Sequence, residues 1–271
     1  MELSTVWAIC YNESMGQTKE IVRLDRLLAN SGYGTRSDVK AMIHAGRVAV
    51  NGVTADRVDA HVSLSDDKIA VDGHVLDVAV HAYFMMNKPA GYVCSAKGGA
   101  HGTVFDLLEE KDRSKRLGGE LAIVGRLDVD TEGLLILTTD GDLNHRLTSP
   151  KYHIPKTYFV QLETEVVKTV QKQYSEAVAA GIEIPPEDHE PSAMCKGGLL
   201  EWESENTCRL TIYEGLYHEV KRIFRALGNK VIYLRRISMN NLALDTTLGP
   251  GAYRPLSAQE LSALTLTNAI L

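Results

Sequence analysis

The chain has 271 residues, 44% of them hydrophobic and 24% charged, an ordinary globular balance that excludes collagen-like, disordered and coiled-coil chains and admits one large domain or two unequal ones. No run approaches the roughly 18 apolar residues of a membrane span, the N-terminus lacks a basic-then-apolar leader, and four scattered cysteines with no CxxC fit a reducing cytosol better than a disulfide or zinc framework. The net charge is −6 but uneven: residues 181–205 hold seven acidic side chains and one lysine, whereas 21–50 carry five basic and two acidic residues and 206–240 seven basic and two acidic.

In chain order, residues 1–22 show no clear period and read as an N-terminal extension. Leu24, Leu27 and Leu28 then fall on one helical stripe. Thr35 and Asp38 have capping-box spacing, and Val39, Met42 and Ile43 repeat the stripe up to Gly46. The run RVAV-NG-VTA predicts a hairpin about the Asn51-Gly52 turn, and KIAVDG (68–73) another short strand. Residues 74–81 read as a connection. A larger α+β region begins at AYFMMNKPAGYVCS. LAIV (121–124), LLILTT (134–139), KTYFVQLE (156–163) and CRLTIY (208–213) read as strands. Residues 165–180 read as a helix ended by Gly181. Val220, Ile223, Phe224 and Leu227 form the stripe of another, stopped by Gly228, and Ser257 with Glu260 opens a last one. Helices and strands do not alternate as βαβ units would, so a mixed or antiparallel sheet is expected.

The segment GRLDVDTEGLLILTTDGD (125–142) crowds Asp128, Asp130 and Glu132 between two strands. Those residues with Gly133 occupy the opening positions of a calcium loop, but the closing position is Thr139, which supplies no bidentate carboxylate, and the flanks read as strands. A phosphatase aspartate pair wants Thr or Val where Glu132 stands, and a glycosidase pair requires a carboxyl separation that spacing does not determine.

GRLD-x-x-T-x-GLL resembles the catalytic motif of pseudouridine synthases acting on ribosomal RNA. YFMMNKPAGYVCS (83–95) is similar to the family's first motif. HRLTSPKYHIPKTY (145–158) resembles the segment ending in its active-site tyrosine, and EGLYHEVKRIFRALGN (214–229) its third motif. Residues 23–73 resemble the small RNA-binding domain named after ribosomal protein S-four. Among branches, the synthases acting on small-subunit (16S) rRNA are the most similar; action on 23S rRNA and a non-catalytic assembly factor are the rivals. The first 22 residues and the acidity of 181–205 depart from the family.

The resemblance implies an α+β fold: an extension (1–22), an S-four-type domain and connection (23–80), and a synthase domain (81–271). It implies Asp128 as the catalytic carboxylate, Lys221 as the cation beside it and Tyr158 as the aromatic stacked on uracil. Arg126 would hold the opened RNA and Val220 would pack under the flipped base. Arg36, Lys40 and Arg47 would meet phosphates. Singly, Arg126 reads as a surface ion-pair partner, Tyr158 as core and Lys221, Asp130 and Glu132 as surface decoration; only the ordered set favours the site. Pseudouridine formation is redox-neutral and needs no group from outside, and no cofactor motif or metal-ligand cluster appears in the sequence. The expected partner is ribosomal RNA or an assembling small-subunit particle, met in the cytoplasm by a monomer.

Overall fold

The computed structural model describes residues 21–64, 66–76, 81–113 and 120–265. The first twenty residues of the expected extension, and 77–80 of the connection, lie outside them. Two compact units divide the chain: the first runs to Ala82 and takes in Leu121 as well, and the second holds Tyr83–Arg113 and the residues from Ala122 on.

In the first unit, helices Leu24–Asn30 and Arg36–His44 pack their leucine and valine stripes on a small sheet. The second helix starts with the expected capping box: the Thr35 side chain accepts from the Asp38 N–H, and the Asp38 carboxylate accepts from Thr35 at 2.8 Å. Strands Val48–Val50 and Val53–Thr54 form the expected hairpin. Asn51 and Gly52 both have positive φ, at 52° and 80°, the conformation a two-residue turn of this hand requires. Ile69–Val71 and His74–Val75 complete a four-stranded antiparallel sheet, so the latter strand occupies part of the expected connection. Ile21–Arg23 pairs with His61–Ser63, taking two residues from the extension because Val22 packs against the core. Leu24, Leu27, Leu28, Val39, Ile43, Val48, Val62, Ile69 and Val71 form that core.

The second unit is built on a nine-stranded mixed sheet. Its order is Leu199–Trp202, Thr207–Ile212, Lys156–Leu162, Val231–Met239, Glu132–Thr138, Tyr83–Lys88 and Tyr253–Pro255. Ala122–Val124 adds to Glu132–Thr138 and Leu242–Ala243 to Val231–Met239. Every pairing in this sheet is antiparallel except one at its centre, where Glu132 and Gly133 lie parallel to Arg235 and Arg236. Gly133 has φ +99°, and a side chain there would collide with the Arg236 carbonyl. This glycine therefore lets the central strands close immediately after the loop that carries Asp128. Met85, Leu134, Ile136, Leu143, Leu147 and Met239 pack in the core on one face.

Val231–Met239, at nine residues the longest strand, was not expected from the sequence, because Arg235 and Arg236 break its apolar pattern. Both pair across the sheet: Arg236 stands opposite Tyr158 on one side and Gly133 on the other. No helix among the described residues is long and apolar enough to cross a membrane.

Candidate active site

Asp128 sits on the loop between strands Ala122–Val124 and Glu132–Thr138, and a buried lysine ties that loop down. Lys88 ends the strand Tyr83–Lys88 and is fully buried. Its ammonium donates to the carbonyls of Pro89 and Asp128 at 3.0 Å and of Thr131 at 2.8 Å, with that of Val129 at 3.4 Å. The Gly91 N–H donates to the same Val129 carbonyl at 2.7 Å. Burial pulls the Lys88 pKa down, opposed by Cys94, Asp128, Asp130 and Glu132.

Lys221 arrives from the helix Glu219–Ala226. Its Nζ lies 3.0 Å from Asp128 Oδ2 and 2.6 Å from Asp130 Oδ1. Burial works against this ammonium, but the Asp130 and Asp128 carboxylates outweigh it and raise its pKa. Asp130, read from the sequence as a loop decoration, is thus the closer partner of Lys221; the cross-loop pair spans 91 positions and leaves no local signal. Glu132, read the same way, accepts from the Tyr233 hydroxyl at 2.8 Å. The Thr131 hydroxyl approaches Asp128 Oδ2 at 3.5 Å.

Tyr158 alternates with half-buried neighbours along Lys156–Leu162 and is 7% exposed. Burial raises its pKa. The Arg236 guanidinium beside it works the other way, and the Asp128 charge is also felt at its hydroxyl. Arg236 is itself buried and donates through Nε to the Leu134 carbonyl at 2.7 Å. Val220 is buried on the same helix as Lys221. Arg126 is exposed on the same loop as Asp128 and makes no ion pair with another described residue. In the first unit Arg36 and Lys40 are exposed, while Arg47 pairs with Asp72 at 2.5 Å. No group of three metal-ligating side chains occurs among the described residues.

Two buried titratable groups, Glu219 at the start of the Lys221 helix and Lys156 on the strand Lys156–Leu162, act on one another. Burial pushes the Glu219 carboxyl up to about 7, although it accepts the Leu216 N–H at 2.9 Å. Burial lowers the Lys156 ammonium to about 8, where it donates to the carbonyls of Ile154 at 3.2 Å and Glu214 at 2.8 Å. A carboxyl raised from 4.5 to about 7 contributes stability fully present below the unfolded value and lost as pH rises through 7. Glu219→Gln keeps an acceptor for Leu216 without the charge. It should stabilise the protein at pH 8 by about 1–3 kcal/mol and much less at pH 5. Thermal unfolding at the two pH values reads this directly; equal shifts at both would refute it.

Comparison with known proteins bears on this geometry. The family model described as RNA pseudouridylate synthase matches residues 82–226, and the S4 domain model matches residues 22–68. The chain is similar to an uncharacterized RNA pseudouridine synthase, YtzG, of Bacillus subtilis (strain 168): 42% identical over 90% of this chain and 98% of that protein. It is 38% identical to ribosomal small subunit pseudouridine synthase A of Escherichia coli (strain K12), over 90% of this chain and 100% of that protein. A crystal structure of a pseudouridylate synthase, 37% identical, superposes with a TM-score of 0.60 over 90% of this chain and all of that one. Two matched models in the expected order, and relatives this similar along nine tenths of the chain, mean that it belongs to the RNA pseudouridine synthase family, an enzyme with an S4 domain followed by its synthase domain.

Proposed function

We propose that this enzyme converts a uridine of 16S ribosomal RNA to pseudouridine, with Asp128 as the catalytic carboxylate. The observation that carries the reading is the set around that residue: a carboxylate with one oxygen 3.0 Å from the Lys221 ammonium, on a loop whose carbonyls are gathered by a buried lysine. The choice of small-subunit RNA is supported by relatives named for pseudouridine synthesis on the ribosomal small subunit, 38–40% identical over nearly their full lengths.

The reaction breaks the N1–C1′ bond, turns the uracil and joins C1′ to C5. The C5 proton then leaves and N1 gains one, so atoms and charge balance without an external donor. Asp128 acts at the sugar as nucleophile or base. Lys221 holds it in place. Tyr158 stands against the uracil, where base–aromatic stacking is worth roughly 1–3 kcal/mol, and its hydroxyl relays the late proton, passing its own on as it takes up the one from C5. The target base leaves its stack at a cost of a few kcal/mol. Val220 packs under the turned ring, and Arg126 holds the opened strand. In the S4 domain, Arg36 and Lys40 present free charge to phosphates, which positions the RNA without reading its sequence. Arg47 joins them by exchanging Asp72 for a phosphate.

Purified protein incubated with 16S and 23S rRNA, followed by pseudouridine mapping of both, tests the reading. New pseudouridine is expected in 16S rRNA alone. Modification confined to 23S rRNA would move the substrate to the large subunit while leaving the chemistry intact.

A further inference from the structure

The acidic stretch 181–205 has no part in the chemistry above, yet it reaches Asp128 through one imidazole. His218 precedes the helix Glu219–Ala226 with φ +47°, a left-handed conformation that a residue with a Cβ keeps only when its surroundings hold it. The ring stands between two carboxylates. Nε2 is 3.6 Å from Asp128 Oδ1, and Nδ1 is 3.4 Å from Glu187 Oε1. The Tyr217 ring lies flat against it, with centroids 3.8 Å apart and planes within 20°. The Tyr217 hydroxyl in turn donates to Asp188 at 2.7 Å.

The segment carrying Glu187 is fastened to the helix that carries Lys221. Arg222, 1% exposed, donates to the Pro185 carbonyl at 2.8 Å, the Pro191 carbonyl at 2.5 Å and the Tyr217 carbonyl at 3.1 Å. Both flanks of Glu187 are therefore tied to one guanidinium. Arg225 donates to Glu187 Oε1 at 2.9 Å. Burial disfavours the Glu187 charge, and Arg225 and His218 more than offset it.

The two oxygens of Asp128 have different neighbours. Oδ2 meets Lys221 at 3.0 Å and Thr131 at 3.5 Å, whereas Oδ1 faces His218. A carboxylate held at one oxygen still swings about its last bond. A second anchor stops that motion. Neither imidazole spacing is yet a hydrogen bond, and both Nδ1 and Glu187 Oε2 are buried without one. Contacts of this kind tighten when substrate fills a site.

We propose that His218, backed by Glu187, is a positioning residue that holds Asp128 Oδ1 and sets the plane of the carboxylate against the sugar. This rests on Asp128 being the catalytic carboxylate. The charged groups around the imidazole are Asp128 and Glu187, then Lys221, Asp130 and Arg225. The acidic stretch thus serves the site through Glu187 and makes no contact with RNA in this role.

The test uses side chains that mimic one ring nitrogen each. Asparagine tolerates a positive φ and keeps an amide near Nδ1, but does not reach Asp128. Glutamine places its amide where Nε2 stands. His218→Asn should lower the single-turnover rate about 10–100-fold, the scale of a small misplacement of a reacting group, with RNA Kd unchanged within about twofold. His218→Gln should recover much of that loss. Glu187→Gln should lower the rate about tenfold, and the double variant with His218→Asn should be no slower than His218→Asn alone, because Glu187 acts through the ring. Thermal unfolding of each variant accompanies the rates. A wild-type rate in His218→Asn overturns the proposal, as do matched losses of rate and affinity, or independent effects in the double variant. A rate loss that tracks unfolding temperature and is not recovered by glutamine also overturns it. Asp128→Asn separates the levels: if it stays active, the underlying assignment falls, and if it is dead while His218→Asn and Glu187→Gln run at full rate, only this proposal falls.

Discussion

Asp128→Asn is expected to produce no detectable pseudouridine while binding RNA with near-normal affinity. Asparagine matches aspartate in size and still accepts a hydrogen bond from Thr131, which lies 3.5 Å from Oδ2. Lys221 keeps Asp130, at 2.6 Å its closer partner, so the ammonium is not left unpaired. Only the charge and the nucleophilic or basic oxygen are lost. Each ~1.4 kcal/mol of barrier is tenfold in rate, and a group that takes part in bond making is commonly worth several such steps. Asp130→Asn is the control: it is 65% exposed at its side chain and should retain activity within about tenfold, since Lys221 then rests on Asp128 alone. The readout is pseudouridine formed in a single turnover, with affinity measured on the same preparation. Activity in Asp128→Asn with loss in Asp130→Asn would move the catalytic role by two residues.

Lys88→Met should both destabilise the protein and nearly abolish turnover. Methionine has a similar length but donates nothing, and Lys88 donates to four carbonyls, three of them on the Asp128 loop. Hydrogen bonds to a charged group are worth about 1.5–3 kcal/mol each, and buried carbonyls left unpaired add to the loss. Partial relaxation and the removed cost of burying an ammonium reduce the sum, so about 3–5 kcal/mol of stability is expected to go. The rate effect follows from geometry: displacing the Asp128 backbone by about 1 Å costs on the order of a hundredfold. Unfolding temperature and single-turnover rate together check this, with Lys88→Arg as a second variant whose wider head keeps the charge but not the fit. Wild-type stability and rate in Lys88→Met would show the loop to be held by other means.

Local patterns in the sequence carried the S4 domain almost entirely. The Asn51-Gly52 hairpin, the Thr35–Asp38 box and the leucine stripe all depend on neighbours within a few positions, and each is present. The synthase domain was legible at its edges and opaque at its centre. Arg235 and Arg236 look like surface residues, yet Arg236 is 1% exposed, because its partners are Leu134, about a hundred positions upstream, and Tyr158 across the sheet. The same blindness hid Asp130, His218 and Glu187, whose roles come from segments that meet only in three dimensions. Charge counting over 181–205 found the carboxylates but not that Arg222 and Arg225 receive that segment.

The lone parallel pairing at the centre of the sheet also orders events in time. Gly133 and Arg236 close against each other across about a hundred residues of intervening chain, as does the bond from Arg236 to Leu134. At roughly 5–20 residues per second of synthesis, the aspartate loop is exposed for about 5–20 s before its central neighbour has been made. Closing so long a loop is an entropic step that no local turn nucleates. A growing chain therefore carries a folded RNA-binding domain well before it carries a working site: it can engage its RNA first and acquire the chemistry afterwards.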